Sequence, residues 1–133
     1  MRTKINLPSG SILELDYTSY LNTMNLLQHL AKVIKKDIPD FSLNNTMLEK
    51  LGSNQDTLKD KLFSILPNAL LNAVMDNDLI DAVFKCADNS LINDYRINKE
   101  YFENIENRQD FFPVLFQVVK YNLTPFFPKA NMK

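Results

Sequence analysis

The residues best suited to catalysis are few in this 133-residue chain. The single histidine, His29, lies inside a predicted helix, and its neighbours three and four positions away are Asn25, Leu26, Lys32 and Val33. A catalytic or metal-binding histidine needs a partner that orients it or shares the metal, and none of these four is well suited to that role. We therefore interpret His29 as a structural or surface residue. A hydrolase that used it would need distant partners.

The single cysteine and a short acidic cluster also favour structural roles. Cys86 lies among apolar residues and is predicted to be a small buried side chain, since a reactive thiolate needs an electropositive setting. Asp76, Asp78 and Asp81 surround a predicted helix start, where aspartate caps the helix and complements its dipole. This segment lacks the central glycine and distal glutamate of a calcium loop. We expect neither a metal nor a cysteine-based zinc site.

Glycine is equally scarce, and its placement excludes several enzyme classes. The chain contains two isolated glycines, which cannot form a dinucleotide fingerprint, a phosphate-binding loop or a nucleophile elbow. We therefore predict a protein that is not an enzyme and that uses no cofactor.

Charge and hydropathy indicate which partners to expect. Lysine and arginine number 15, aspartate and glutamate number 16, and no clustered basic surface is evident. Nucleic-acid binding normally needs such a cluster. The N-terminal residues are basic, but no apolar run of signal-peptide length follows them. No uninterrupted apolar stretch is long enough for a membrane span. We expect a cytoplasmic protein that binds neither nucleic acid nor membrane.

The segment from residue 111 to residue 127 is the most apolar part of the chain. Eleven of its seventeen side chains are large and apolar, and Lys120 is its only charge. Such a segment must form the centre of the core, a protein interface, or both. These two interpretations remain open at this stage. The candidate protein-binding residues are Phe112, Phe116, Val119, Tyr121, Leu123, Phe126 and Phe127.

Hydrophobic periodicity predicts a mainly α-helical single domain over residues 1–133. A short β-hairpin is expected over about 4–15, and four to six helices over about 18–127. The first helix is predicted over about 18–36, with Leu21 on its apolar stripe, and helices are predicted on either side of Pro67. Residues 88–106 are interpreted as a connector. The last helix is expected to begin near Asn107 to Asp110, and if Asp110 is its cap, Pro113 falls in the first turn.

The region of about residues 79–127, a little over a third of the chain, resembles a known family. The segments that carry the resemblance are, in chain order, Val83-Phe84-Lys85-Cys86, Arg96-Ile97-Asn98, Tyr101-Phe102-Glu103, Asn107-Arg108-Gln109-Asp110-Phe111-Phe112-Pro113 and residues 118–127. This order resembles small tail assembly chaperones of long-tailed phages and prophages of Gram-positive bacteria. The resemblance implies a host-cytoplasmic protein, absent from the mature virion, that binds the tape measure protein and keeps it soluble during tail tube assembly. It also implies self-association, and a possible longer, frameshifted form that recruits the tail tube protein.

Two other classes remain as alternatives. A structural phage tail or connector component would be found in purified virions, whereas an assembly chaperone would not. A small DNA-binding regulator would need an exposed basic recognition helix. Arg2, Arg96 and Arg108 are instead scattered along the chain, and a salt-dependent gel shift would be needed to support that class.

Overall fold

The computed structural model describes residues 2–37, 63–71 and 76–126. Its elements in chain order are β1 (Thr3–Asn6), β2 (Ile12–Leu15), α1 (Tyr20–Asp37), α2 (63–71), α3 (Asn77–Cys86), β3 (Leu91–Ile92), β4 (Tyr95–Arg96) and α4 (Phe111–Leu123). Two 3₁₀ helices, Lys99–Glu103 and Ile105–Asp110, precede α4, and a third, Thr124–Phe126, follows it. The mainly helical fold predicted from the sequence agrees with this arrangement. The single-domain assignment stays a prediction.

The predicted hairpin is part of a larger sheet, and the expectation of a hairpin alone was wrong. Four antiparallel strands pair in the order β1-β2-β3-β4. Strands β3 and β4 are joined by Asn93 and Asp94, both with positive φ (51° and 70°). Two such residues form the tight turn that matches the twist of a hairpin. The segment interpreted as a connector therefore supplies half of the sheet.

The buried face of α1 is rotated relative to the predicted stripe. Leu26, Leu30 and Val33 are buried, whereas Leu21 is 76% exposed. Thr23 is buried as well. Its hydroxyl donates a hydrogen bond to the Ser19 carbonyl at 3.0 Å, so the buried polar group is satisfied. The adjacent leucines 26 and 27 allowed two stripes, and packing against the rest of the fold selects the one through Leu26.

Helix α2 continues through Pro67, although the sequence predicted an interruption there. Residues 63–71 are helical on both sides of the proline. Leu66, Ala69 and Leu70 are buried in the main core while Pro67 is exposed, so burial on the opposite face holds the helix together. The sequence also allows a short helix over 46–51, and this segment lies outside the described residues.

Helices α1, α3 and α4 pack against one another, and β2 packs on α4. The start of α3 matches its prediction, since the Asp76 side chain caps it by accepting from the Leu79 amide at 3.1 Å. Asp110 occupies the N-cap position of α4, but its side chain makes no capping hydrogen bond there. A 3₁₀ helix leads directly into α4, which leaves this carboxylate available for other contacts.

Candidate protein-binding surface

Helix α4 is covered by the rest of the chain over most of its surface. Its buried residues are Val114, Leu115, Val118, Val119, Asn122 and Leu123. Cover is thinner on the side that carries its polar residues, where Lys120 is exposed and Pro113, Gln117 and Thr124 are half-buried. The helix therefore serves as the hub of the core, and only part of its surface is available to a partner.

The seven candidate residues from the sequence are not all on the surface. Val119 and Leu123 are fully buried core residues, and Phe127 lies outside the described residues. Phe116 is half-buried, with the Lys120 ammonium 5.8 Å from its ring centroid. Phe112 is partly exposed in the first turn of α4. That these residues bind a partner stays a prediction, and the exposed members define where binding is possible.

Four aromatic side chains cluster where the end of α4 meets the start of α1. The rings of Tyr17 and Tyr121 stack with centroids 4.4 Å apart and planes at 22°. The rings of Tyr20 and Phe126 approach to 6.0 Å at 31°. Tyr20 is 66% exposed, Tyr17 49% and Phe126 37%. We call Tyr17, Tyr20, Tyr121 and Phe126 the aromatic surface.

The sequence analysis identified only half of this surface. Tyr121 and Phe126 were candidates because they belong to the apolar C-terminal segment, whereas Tyr17 and Tyr20 were not singled out. A signal for the two tyrosines does exist. They lie three positions apart at the start of α1, and neither was part of the apolar stripe predicted for that helix. Aromatic residues outside a core stripe are good candidates for interface anchors.

A buried amide fixes the position of the chain segment that carries Tyr17. The Asn122 side chain accepts from the Thr18 amide at 3.0 Å and donates to the carbonyls of Val118 and Cys86 at 2.9 and 3.4 Å. The Asn122 side chain on α4 thus bonds to the backbone just before α1 and to the backbone at the end of α3. Because Asn122 is only 3% exposed, these bonds are shielded from water.

The same segment is also held from the turn after α3. The Ser90 hydroxyl accepts from the Asp16 amide at 3.0 Å, and the Asn89 side chain donates to the Tyr17 carbonyl at 2.9 Å. The backbone on both sides of Tyr17 is therefore tied to the rest of the fold. An aromatic surface held in this way loses little conformational entropy when a partner covers it.

The Tyr17 phenol stays protonated well above neutral pH. Partial burial raises the pKa of Tyr17, and the neighbouring Tyr121 and the Asp16 carboxylate raise it further. A protonated phenol presents an apolar ring together with a hydroxyl that can donate or accept a hydrogen bond. The surface therefore suits a partner with an apolar stripe bordered by polar groups.

A polar cluster lies at the opposite end of α4. The fully buried Asp110 carboxylate accepts from the Ser9 amide at 3.0 Å, from the Ser9 hydroxyl, and from the Tyr101 hydroxyl at 2.7 Å. The Ser11 hydroxyl lies 2.9 Å from the Tyr101 oxygen. Each hydroxyl has one hydrogen, and those of Ser9 and Tyr101 are both used on the carboxylate. This network contains no histidine or lysine that could act as a base for a nucleophile. Its hydrogen bonds satisfy the buried carboxylate, and the arrangement does not resemble a catalytic site.

His29 and Cys86, the two residues best suited to chemistry, lie on different helices, α1 and α3. Cys86 is fully buried, and burial raises the pKa of its thiol to about 12, with a further contribution from Asp88. This agrees with the prediction of a buried, unreactive cysteine. His29 is half-buried on α1. Over residues 2–37, 63–71 and 76–126, no three histidine, cysteine or acidic side chains group as metal ligands, and no helix has the length and apolarity to cross a bilayer.

Comparison with known proteins identifies a family. Residues 19–133 match the family model described as phage tail assembly chaperone protein, TAC. The matched region includes α1 to α4 and three members of the aromatic surface, Tyr20, Tyr121 and Phe126. No curated protein and no solved structure matches the chain.

Proposed function

The chain belongs to the phage tail assembly chaperone family, and from this premise we propose that it binds the tape measure protein. Binding keeps that long helical chain soluble while the tail tube assembles around it. The family supports a role without catalysis, and the exposed aromatic side chains of the described part of the chain are suited to binding a protein. On this proposal the protein acts in the host cytoplasm and is absent from the mature virion.

The observation that carries the proposal is the aromatic surface. Tyrosine and phenylalanine are large, have few rotatable bonds and are typical anchors of protein interfaces. Tyr17 and Tyr121 support each other by stacking, while Tyr20 and Phe126 project beside them. An amphipathic helix of the tape measure protein can lay its apolar stripe across these rings. Covering an exposed aromatic side chain contributes about 2 kcal/mol before association costs.

Two further interactions form part of the proposal. Self-association would present several copies of the aromatic surface to one long client, so that weak contacts combine through avidity. A longer form of the protein would recruit tail tube subunits to the bound tape measure chain. Both come from the family resemblance and are independent of which surface binds the client.

Co-expression with the tape measure protein of the same phage tests the proposal. The readout is the fraction of tape measure protein that stays in the supernatant after centrifugation. We expect a high fraction with the wild type and a low fraction with the double variant Tyr20→Ser/Phe126→Ser, which removes two exposed rings without opening the core. The matched control is Ile105→Ser, which removes an exposed apolar side chain beyond the other end of α4.

Two results would contradict this assignment. If the tape measure protein is insoluble with the wild type, the chaperone role itself is wrong. If the double variant performs as well as Ile105→Ser, the client binds elsewhere. Mass spectrometry of purified virions distinguishes an assembly chaperone from a structural tail component. The structural component would be present in the virions, and the chaperone would be absent.

A further inference from the structure

Strand β4 is one edge of the sheet, and its hydrogen-bonding pattern leaves one residue facing outward. Ile92 and Tyr95 flank the two-residue turn, so they form the pair that exchanges backbone hydrogen bonds between β3 and β4. Arg96 lies opposite Leu91 in the next pair, where the backbone groups point away from the partner strand. The N–H and C=O of Arg96 are therefore directed to the side of β4 on which no strand of the described residues pairs.

A groove runs beside this edge. Its volume is about 360 Å³, and its lining is mainly apolar. The lining residues are Ile92, Asn93, Tyr95, Arg96, Ile97, Asn98 and Tyr101. The backbone remains extended beyond β4 at Asn98 (φ −143°, ψ 168°). The outward-facing backbone groups of Arg96 and the apolar groove thus lie along the same stretch of chain.

Charge distinguishes among the possible occupants of the groove. Among the described residues that line the groove, Arg96 is the only charged one. The ion pairs within the described residues involve Arg2, Lys4 and Lys99, and none involves Arg96. A second copy that paired through its own β4 would oppose arginine with arginine. Pairing through β1 would bring Lys4 and Arg2 close to Arg96, and like charges across strands are destabilising.

We propose that the β4 edge accepts an extended segment of another protein as a fifth strand, with an acidic residue opposite Arg96 and apolar residues on either side. Side chains alternate along a strand, so Tyr95 and Ile97 lie on the face opposite to Arg96. The flanking apolar residues of the bound segment lie beside Tyr95 and Ile97, while its carboxylate pairs with the guanidinium. Backbone bonds provide affinity, and the apolar–acidic–apolar pattern provides specificity.

This surface is separate from the aromatic surface. The aromatic surface lies at the C-terminal end of α4, whereas the chain connects β4 to the N-terminal end of that helix. The fifth-strand site therefore does not depend on where the tape measure protein binds. A failure of one assignment leaves the other intact.

Fluorescence anisotropy with labelled synthetic peptides tests the proposal. The probe is a fluorescein-labelled peptide with valine–glutamate–valine at its centre, and the comparison peptide has lysine in place of glutamate. We expect the wild type to prefer the glutamate peptide and Arg96→Glu to prefer the lysine peptide, each by about tenfold, as expected when an attractive cross-strand pair becomes repulsive. The control Lys32→Glu changes the charge equally on α1 and should leave the preference unchanged.

A third peptide distinguishes strand addition from side-chain binding alone. It carries valine–glutamate–valine with a methyl group on the glutamate backbone nitrogen, which removes the hydrogen that would bond to the Arg96 carbonyl. We expect this peptide to lose binding, although its side chains are unchanged. The proposal is overturned if no peptide binds, if the methylated peptide binds as well as the parent, or if Arg96→Glu retains the preference for glutamate.

Discussion

The amide and the hydroxyl of Ser9 are both hydrogen-bonded to the carboxylate of Asp110, which lies 101 residues later in the chain. Ser9 belongs to the turn between β1 and β2, and Asp110 immediately precedes α4. The pair therefore fastens the N-terminal hairpin to the start of the central helix. Because Asp110 has no exposed surface, its buried carboxylate depends on the hydrogen bonds from Ser9 and Tyr101.

Replacement of Asp110 by alanine should lower the free energy of unfolding by about 3 kcal/mol, because it removes the acceptor that the half-buried Ser9 amide, Ser9 hydroxyl and Tyr101 hydroxyl share. Urea denaturation followed by circular dichroism measures this loss. Glu103→Ala is the matched control, since it removes an exposed carboxylate from the neighbouring 3₁₀ helix, and it should change stability by less than about 0.5 kcal/mol. Equal effects of the two variants would contradict the fastening role of Asp110.

Asn122→Ala should destabilise the fold by about 2 kcal/mol, since the Thr18 amide and the Cys86 carbonyl lose their shared partner. It should also release the segment that carries Tyr17. Tyrosine fluorescence and amide hydrogen exchange at residues 17–19 measure this release, and faster exchange there is the expected result. Gln117→Ala, a change to a half-buried polar residue of the same helix, should leave that exchange unchanged.

The buried thiol of Cys86 should make stability fall at alkaline pH. Its pKa in the folded protein is about 12, whereas an unfolded cysteine has a pKa of about 8.5. Above pH 8.5 the unfolded state releases this proton first, so the free energy of unfolding decreases by up to about 1.4 kcal/mol per pH unit until pH 12. Below pH 8.5 the thiol is protonated in both states, and its contribution to stability is constant.

Comparison with Cys86→Ala isolates this effect from other groups that titrate in the same range. The difference in unfolding free energy between wild type and variant, measured by urea denaturation from pH 7 to pH 10, should shrink as the pH rises. A difference that stays constant with pH would show that the thiol ionises as readily in the folded state as in the unfolded chain.

The turn between β3 and β4 should tolerate glycine better than its natural aspartate. Asp94 has φ of 70°, a conformation that costs an L-residue energy and that glycine adopts freely. Asp94→Gly should therefore raise the free energy of unfolding by about 1 kcal/mol. Asp94→Ala, which removes the same carboxylate and keeps the Cβ atom, should give no such gain, and thermal unfolding of the two variants decides the matter.

The sequence was sufficient to predict features with strong local signals. The β1–β2 hairpin, the α3 cap at Asp76 and the burial of Cys86 all follow from local patterns. Strands β3 and β4 were missed because each has only two residues, too few for a hydrophobic alternation. The Asn93–Asp94 pair was a usable turn signal, but its strands gain stability only from pairing with β2.

Features that depend on distant contacts could not be predicted. Asp110 was expected to cap α4, yet its carboxylate bonds to Ser9 in the first hairpin. The aromatic surface combines Tyr17 with Tyr121 across the fold, and no local pattern relates these two residues. The apolar C-terminal segment could be recognised as core, interface or both, but burial separates Val119 and Leu123 from the partly exposed Phe126.

Site-specific photo-crosslinking tests the central claim most directly. Benzoylphenylalanine is introduced at position 20 or, as a control, at position 105, and each variant is irradiated during co-expression with the tape measure protein. Both natural residues are more than 60% exposed, so neither replacement disturbs the core. We predict a covalent adduct with the tape measure protein from position 20 and none from position 105. No adduct from position 20, or equal adducts from both, would contradict binding at the aromatic surface.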